Sequence, residues 1–205
     1  NTIIDVGANT GIFSLLAKVY NPSSLVIAFE PQPNVYRVLK KNNTINKFNI
    51  IHQNIALSNV FGLLPFYNYG RDPFGKDNST AGSLNKDWRT VEQKYIEVNV
   101  ISLDSFIIEK DINNIDLIKI DVETLEAEVL DGYRKHLHIH RPIIILEVQD
   151  TQIGNNINNF FKENKYSYFN INESTGLISV SKLGDNVHKN YLICPNEKLG
   201  IIQNI

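Results

Sequence analysis

The sequence predicts an α/β fold built on a doubly wound, mostly parallel sheet, and three observations carry that reading. Apolar, strand-like runs alternate with segments of helical periodicity over most of the chain. Their Ile and Val content is continuous rather than alternating, the mark of strands buried on both faces. The first run ends in Asp5-Val6-Gly7-Ala8-Asn9-Thr10-Gly11, a glycine-punctuated turn that leads straight into a helical pattern.

Taken in order, residues 2–6 read as a buried strand, and Phe13, Leu15, Leu16 and Val19 mark a helix over residues 11–19. Residues 25–29 form the next strand. A helix over residues 33–42 follows, opened by Pro33 and carrying Val35, Tyr36 and Leu39 on one side. Residues 50–57 read as a third strand. Residues 63–69 and 95–102 have period two, and a polar segment rich in glycine, serine and asparagine joins them. They predict an antiparallel arm inserted at about residues 57–103, with the loop of residues 70–88 forming an acceptor-side wall or lid. The alternation then resumes with a strand at 116–122, a helix at 125–130 stopped by Gly132, a strand at 142–148 and a helix at 153–165. "YSYFNI" and "NYLICP" predict a closing antiparallel pair. "KHLHIHRP" reads as a loop or a short strand face, since His136, His138 and His140 recur with period two and lack the converging partners of a zinc site.

Composition bounds the function. With 205 residues the chain is one domain's length, 42% apolar and 20% charged. A net charge of −2 leaves no basic excess to neutralise phosphates, which argues against a dedicated nucleic-acid or anionic-membrane surface. The apolar runs are too short to span a bilayer. A lone Cys194 fits a reducing, cytoplasmic compartment. The first residue abuts a strand and no methionine occurs anywhere, so we read residues 1–205 as one domain of a longer protein. The sequence sets no oligomeric state.

In an open α/β sheet, ligands bind beyond the carboxyl ends of the strands. Acids stand at four such ends: Asp5, Glu30, Asp121 with Glu123, and Glu147. Glu30 follows "LVIAF" nineteen residues after Gly11, where an acid accepts hydrogen bonds from ribose hydroxyls. That position serves a nicotinamide dinucleotide and S-adenosylmethionine alike. The turn lacks the G-x-G-x-x-G pattern that docks a pyrophosphate, with Asn9 where its second glycine belongs. Asp5 would repel a pyrophosphate but suits a ligand carrying an amine and a sulfonium. S-adenosylmethionine is favoured.

Six blocks make the reading specific: "IDVGANTGIFS", "FEPQPNVYRVLKKN", "NIALSN", "VNVISLDSF", "IDLIKIDVETLEAEVLDG" and "PIIILEV". In this order they resemble the FkbM family of S-adenosylmethionine-dependent methyltransferases, over roughly residues 3–148. The resemblance implies a class I, Rossmann-like methyltransferase fold that O-methylates hydroxyls of sugars, glycans or other natural products and releases S-adenosylhomocysteine. It implies that Asp5, Gly7, Asn9 and Gly11 line the methionine and ribose end, that Glu30 holds the ribose, and that Asn54, Ile55 and Ala56 flank the adenine. Asp121, Glu123 and Glu147 would face the transferred methyl, with Glu123 and Glu147 the leading candidates for the base that takes the hydroxyl proton. Clustered carboxylates also suit a divalent cation, but no spacing here resolves a metal site. Thr124 departs from the family's glycine; it narrows the mouth or caps the following helix. Two other classes stay open: a methyltransferase-like module without transfer, on the strength of Thr124, and a nucleotide-dependent oxidoreductase, against which the missing glycine counts.

Overall fold

The computed structural model describes residues 1–68, 82–87 and 94–202. The chain opens with β1 (Thr2–Val6) and turns into α1 (Ile12–Tyr20); β2 (Leu25–Phe29), α2 (Pro33–Asn46) and β3 (Ile50–Gln53) follow. It then leaves the main sheet. β4 (Ala56–Leu57), β5 (Gly62–Asn68), β6 (Gly82–Ser83) and β7 (Lys94–Ile101) form a second, four-stranded sheet in the order β4-β7-β5-β6. The path returns through α3 (Leu103–Lys110), β8 (Leu117–Ile120), α4 (Glu126–Asp131), α5 (Arg134–His140), β9 (Ile143–Glu147) and α6 (Thr151–Phe161). β10 (Tyr166–Asn172), β11 (Gly176–Val180), β12 (Asn190–Pro195) and the short α7 (Leu199–Ile202) complete the described chain.

The main sheet has eight strands in the order β11-β10-β12-β9-β8-β1-β2-β3. The five strands from β9 to β3 are parallel, and β12, β10 and β11 add antiparallel to the other edge. Alternate side chains feed two layers, as the pleat requires. Ile4, Val6, Ile27, Phe29, Ile118, Ile120, Ile144 and Leu146 pack against Phe106 of α3, Leu130 of α4, Leu137 of α5 and Ile157 of α6. Ile3, Val26 and Ala28 on the opposite face meet Leu39 of α2 and Phe13 of α1. Helices therefore cover both faces, the doubly wound arrangement expected. Strand order reverses between β1 and β8, which opens a crevice at their carboxyl ends. No helix among the described residues is long and apolar enough to cross a membrane.

Four local readings change. The run at 50–57 is two strands, because Asn54 turns the chain: its amide donates to the carbonyls of Glu30 and Pro31 at 2.8 and 2.9 Å, and β4 pairs with β7 instead. The histidine segment is helix α5, held at its start by Asp104 of α3, which accepts from the backbone N–H groups of Lys135 and His136. His136 Nδ1 meets Asp104 at 2.6 Å and His140 Nδ1 meets the Tyr133 hydroxyl at 3.0 Å, so both rings serve the packing of this helix. The closing pair gains a third strand, β11, through a hairpin whose Asn172 side chain accepts from Ser174 and Thr175 N–H. Finally, Thr124 does not cap α4: Leu125 is the cap residue, and Thr124 sits in the left-handed region at φ 83°. The predicted lid loop lies outside the described residues except for residues 82–87.

Candidate active site

Gly7 fixes the crevice. Its φ is +71°, and a Cβ there would sit 1.9 Å from the carbonyl oxygen of Asp121. Only glycine lets β1 and β8 approach so closely as they diverge. The Gly7 and Ala8 N–H groups donate to Phe29 O at 3.0 and 2.9 Å, tying the turn to the end of β2. Gly11, at φ +90°, then starts α1 against Leu39.

The turn delivers Asn9 to Glu30. The Glu30 carboxylate accepts from Asn9 N–H at 2.9 Å through one oxygen and from Gln32 N–H at 2.8 Å through the other. Burial pushes its pKa up to about 7, with those two hydrogen bonds pulling the other way. Each oxygen keeps a second lone pair for a ligand hydroxyl. Asn54 holds the backbone under this acid, as described above, and delivers Ile55 and Ala56 to the same space.

A cleft open to solvent occupies the crevice. Gly7, Asn9, Glu30, Ile55, Ala56, Asp121 and Glu123 line it, together with Gln32, Leu84 and Leu125. Seven of the expected site residues thus converge. Asp5, Gly11, Asn54 and Glu147 lie outside the lining. Among the described lining residues none is cationic, while three are acids. The set fits a nucleoside with a positively charged tail, with a carboxylate for ribose hydroxyls, apolar walls for a base and acids toward the cation.

Asp5 is fully buried. It accepts from Ser14 Oγ at 2.6 Å, and burial raises its pKa against the opposing pull of Lys119. Lys119 is the group that sequence reasoning missed. Its ammonium donates to Gly7 O at 2.8 Å and lies 3.2 Å from Asp121 and 3.6 Å from Asp5. The available signal was a lysine inside the apolar strand "LIKI", since a buried ammonium needs partners.

Asp121, Glu123 and Thr124 form a sharp turn after β8, with Glu123 at φ 56°. Glu126, also overlooked, supports it from below: one of its oxygens accepts from Val122 and Thr124 N–H at 3.2 and 3.3 Å. Burial pushes the Glu126 pKa up to about 8. Above the turn, Gln149 Nε2 donates to Glu123 at 2.7 Å and reaches Glu147 at 3.3 Å. Gln149 therefore bridges the two carboxylates named as base candidates, a link that no sequence pattern marks. Among the described residues, no group of three or more His, Cys, Asp or Glu side chains converges as a metal site.

A family model described as the methyltransferase FkbM domain matches residues 5–168. Methyltransferase sdnD of Sordaria araneosa is 29% identical over 168 residues, 70% of this chain and 64% of that protein. The 31-O-demethyl-FK506 methyltransferase FkbM of Streptomyces tacrolimicus is 29% identical over 153 residues, 64% of this chain and 59% of its own length. The chain spans less than two thirds of the curated relatives it matches. Among solved structures, methyltransferase FkbM from Methylobacillus flagellatus KT superposes with a TM-score of 0.57 at 16% identity, covering 94% of this chain and 42% of that one. The METTL16 methyltransferase domain gives 0.53 at 11% identity, covering 95% and 59%. These two share the Rossmann-like, class I methyltransferase fold. The match over residues 5–168 takes in the glycine turn, Glu30 and the acid turn together, and by it the chain belongs to the FkbM family of methyltransferases, whose methyl donor is S-adenosylmethionine.

Proposed function

We propose that this domain transfers a methyl group from S-adenosylmethionine to a hydroxyl of a sugar, glycan or other natural product. The observation that carries this reading is that Glu30 and Glu123 line one cavity at the strand-order reversal, with no cation among its described lining. The Streptomyces relative, a 31-O-demethyl-FK506 methyltransferase, supports the choice of oxygen.

Glu30 would accept the ribose hydroxyls, Ile55 and Ala56 would flank the adenine, and Gly7 and Asn9 would bound the tail. Asp5, Gly11 and Asn54 would act by shaping these residues. When bound, the cofactor supplies an electrophilic methyl group on a sulfonium, and the protein must align an oxygen with it and remove a proton. An aliphatic hydroxyl needs a base within hydrogen-bond reach. Glu123 takes that role, with Gln149 holding its carboxylate beside Glu147 and Lys119 holding Asp121. Transfer of labelled methyl to a panel of glycosides and polyketide alcohols tests the reading. Turnover that falls on the order of 100-fold in Glu123→Gln supports it. Turnover unchanged in that variant would remove Glu123 from the chemistry, and cofactor binding with no transfer to any alcohol would favour the binding-module reading.

A further inference from the structure

The acid turn is gripped from the second sheet as well as from below. Ser83 of β6 is buried; its hydroxyl donates to Glu123 O at 2.8 Å and accepts from Asn85 N–H at 3.0 Å. Asn85 Nδ2 then donates to Thr124 Oγ1 at 2.9 Å. The same short segment contributes Gly82 and Leu84 to the cavity lining. It is pinned on its far side, where β6 pairs with β5 and a Cβ on Gly82 would strike the Phe66 ring at 2.4 Å. Thr124 meanwhile holds a β-branched side chain at φ 83°, directly after Glu123 at φ 56°. Such a residue persists in the left-handed region only where its surroundings over-determine it. Glu126 supplies that restraint from one side and Asn85 from the other.

We infer that Asn85 and Thr124 are positioning residues whose hydrogen bond clamps residues 82–87 onto the acid turn, holding Gly82 and Leu84 as a wall of the cofactor cavity. This rests on the methyltransferase reading above. A wall held in place slows escape of a bound ligand and leaves encounter little altered, so the clamp shows in the dissociation rate. The test follows S-adenosylhomocysteine binding by surface plasmon resonance. Asn85→Ala and Thr124→Val should each speed dissociation about fivefold, the rate equivalent of one ordinary hydrogen bond, with association within about twofold. Thr124→Ser keeps the acceptor hydroxyl and should restore the original rate. The double variant should dissociate no faster than either single one, since both lose the same contact. Melting temperatures recorded alongside separate the clamp from a merely structural role, which would lower them and leave dissociation unchanged. Should Thr124→Val fail to fold, Asn85→Ala reports the same contact from the other side. Dissociation rates unchanged in Asn85→Ala, or effects that add in the double variant, would overturn the clamp alone. Failure of the unmutated protein to bind S-adenosylhomocysteine would overturn the parent reading, and the clamp with it.

Discussion

Glu30 and Glu126 are two buried carboxyl groups with opposite assignments. Glu30 faces the cavity, and ribose hydroxyls would donate to its ionised form. Because burial holds its pKa near 7, affinity for S-adenosylhomocysteine should rise with pH up to about 7 and then level off. Calorimetric titration from pH 5.5 to 8.5 checks this. Glu30→Ala should weaken binding by about 1.5–3 kcal/mol, the range for a charged hydrogen bond, and Glu30→Gln should flatten the pH profile. An unchanged affinity in Glu30→Ala would reduce Glu30 to a structural acid. Glu126 faces the protein. Its pKa is raised from the ordinary carboxyl range to about 8, so the folded state holds its proton more tightly than the unfolded chain does. Its contribution is fully present below about pH 4.5 and is lost as pH rises towards 8, on the order of 4 kcal/mol across that window. Urea unfolding at pH 5 and pH 8.5 should show stability falling with pH, and Glu126→Gln should reduce that fall, with Glu30 and Asp5, also raised by burial, supplying the rest. A variant with the wild-type slope would contradict the assignment.

At the scale of elements, α5 is the helix that sequence periodicity misread. Three histidines spaced by two suggest a strand face, yet the decisive contact is tertiary: Asp104 of α3 accepts from two N–H groups in the first turn of α5. Asp104→Ala leaves those donors unpaired and should cost about 1–3 kcal/mol in urea unfolding, with S-adenosylhomocysteine affinity intact because neither helix lines the cavity. A loss of affinity with no loss of stability would refute this division of roles. The break at Asn54 has the same character, since a run from Ile50 to Leu57 looks continuous until its amide is seen bound to the backbone at Glu30 and Pro31. By contrast β1 and β2 were legible because they are buried on both faces, and β9 because its unbroken apolar run stands out even though Ile143 and Ile145 are only half-buried. Within the site, Glu30 and the glycines could be read from spacing. Lys119 and Gln149 were harder to read, because Lys119 meets Gly7 and Asp5, and Gln149 meets Glu123, only once the chain has folded. Glu126 was missed although its bonds to Val122 and Thr124 are local, because no spacing rule marks an acid that accepts from the turn preceding its own helix.

Among the described residues a mostly parallel sheet meets a second, smaller sheet at one crevice, and Gly7 is the point on which that geometry depends. Gly7→Ala would place a Cβ against the Asp121 carbonyl just past the end of β8, so about 3 kcal/mol or more of stability should be lost together with cofactor binding. Wild-type stability in Gly7→Ala would show that the strands can part there without cost. The central claim is that the crevice between β1 and β8 is an S-adenosylmethionine site. Calorimetric titration of the unmutated protein with S-adenosylhomocysteine and, separately, with NAD tests it most directly. Saturable binding of S-adenosylhomocysteine is expected, with a gain of about 2.7 kcal/mol in stability at a hundredfold excess over Kd, and none with NAD. Binding of NAD with no response to millimolar S-adenosylhomocysteine would contradict it.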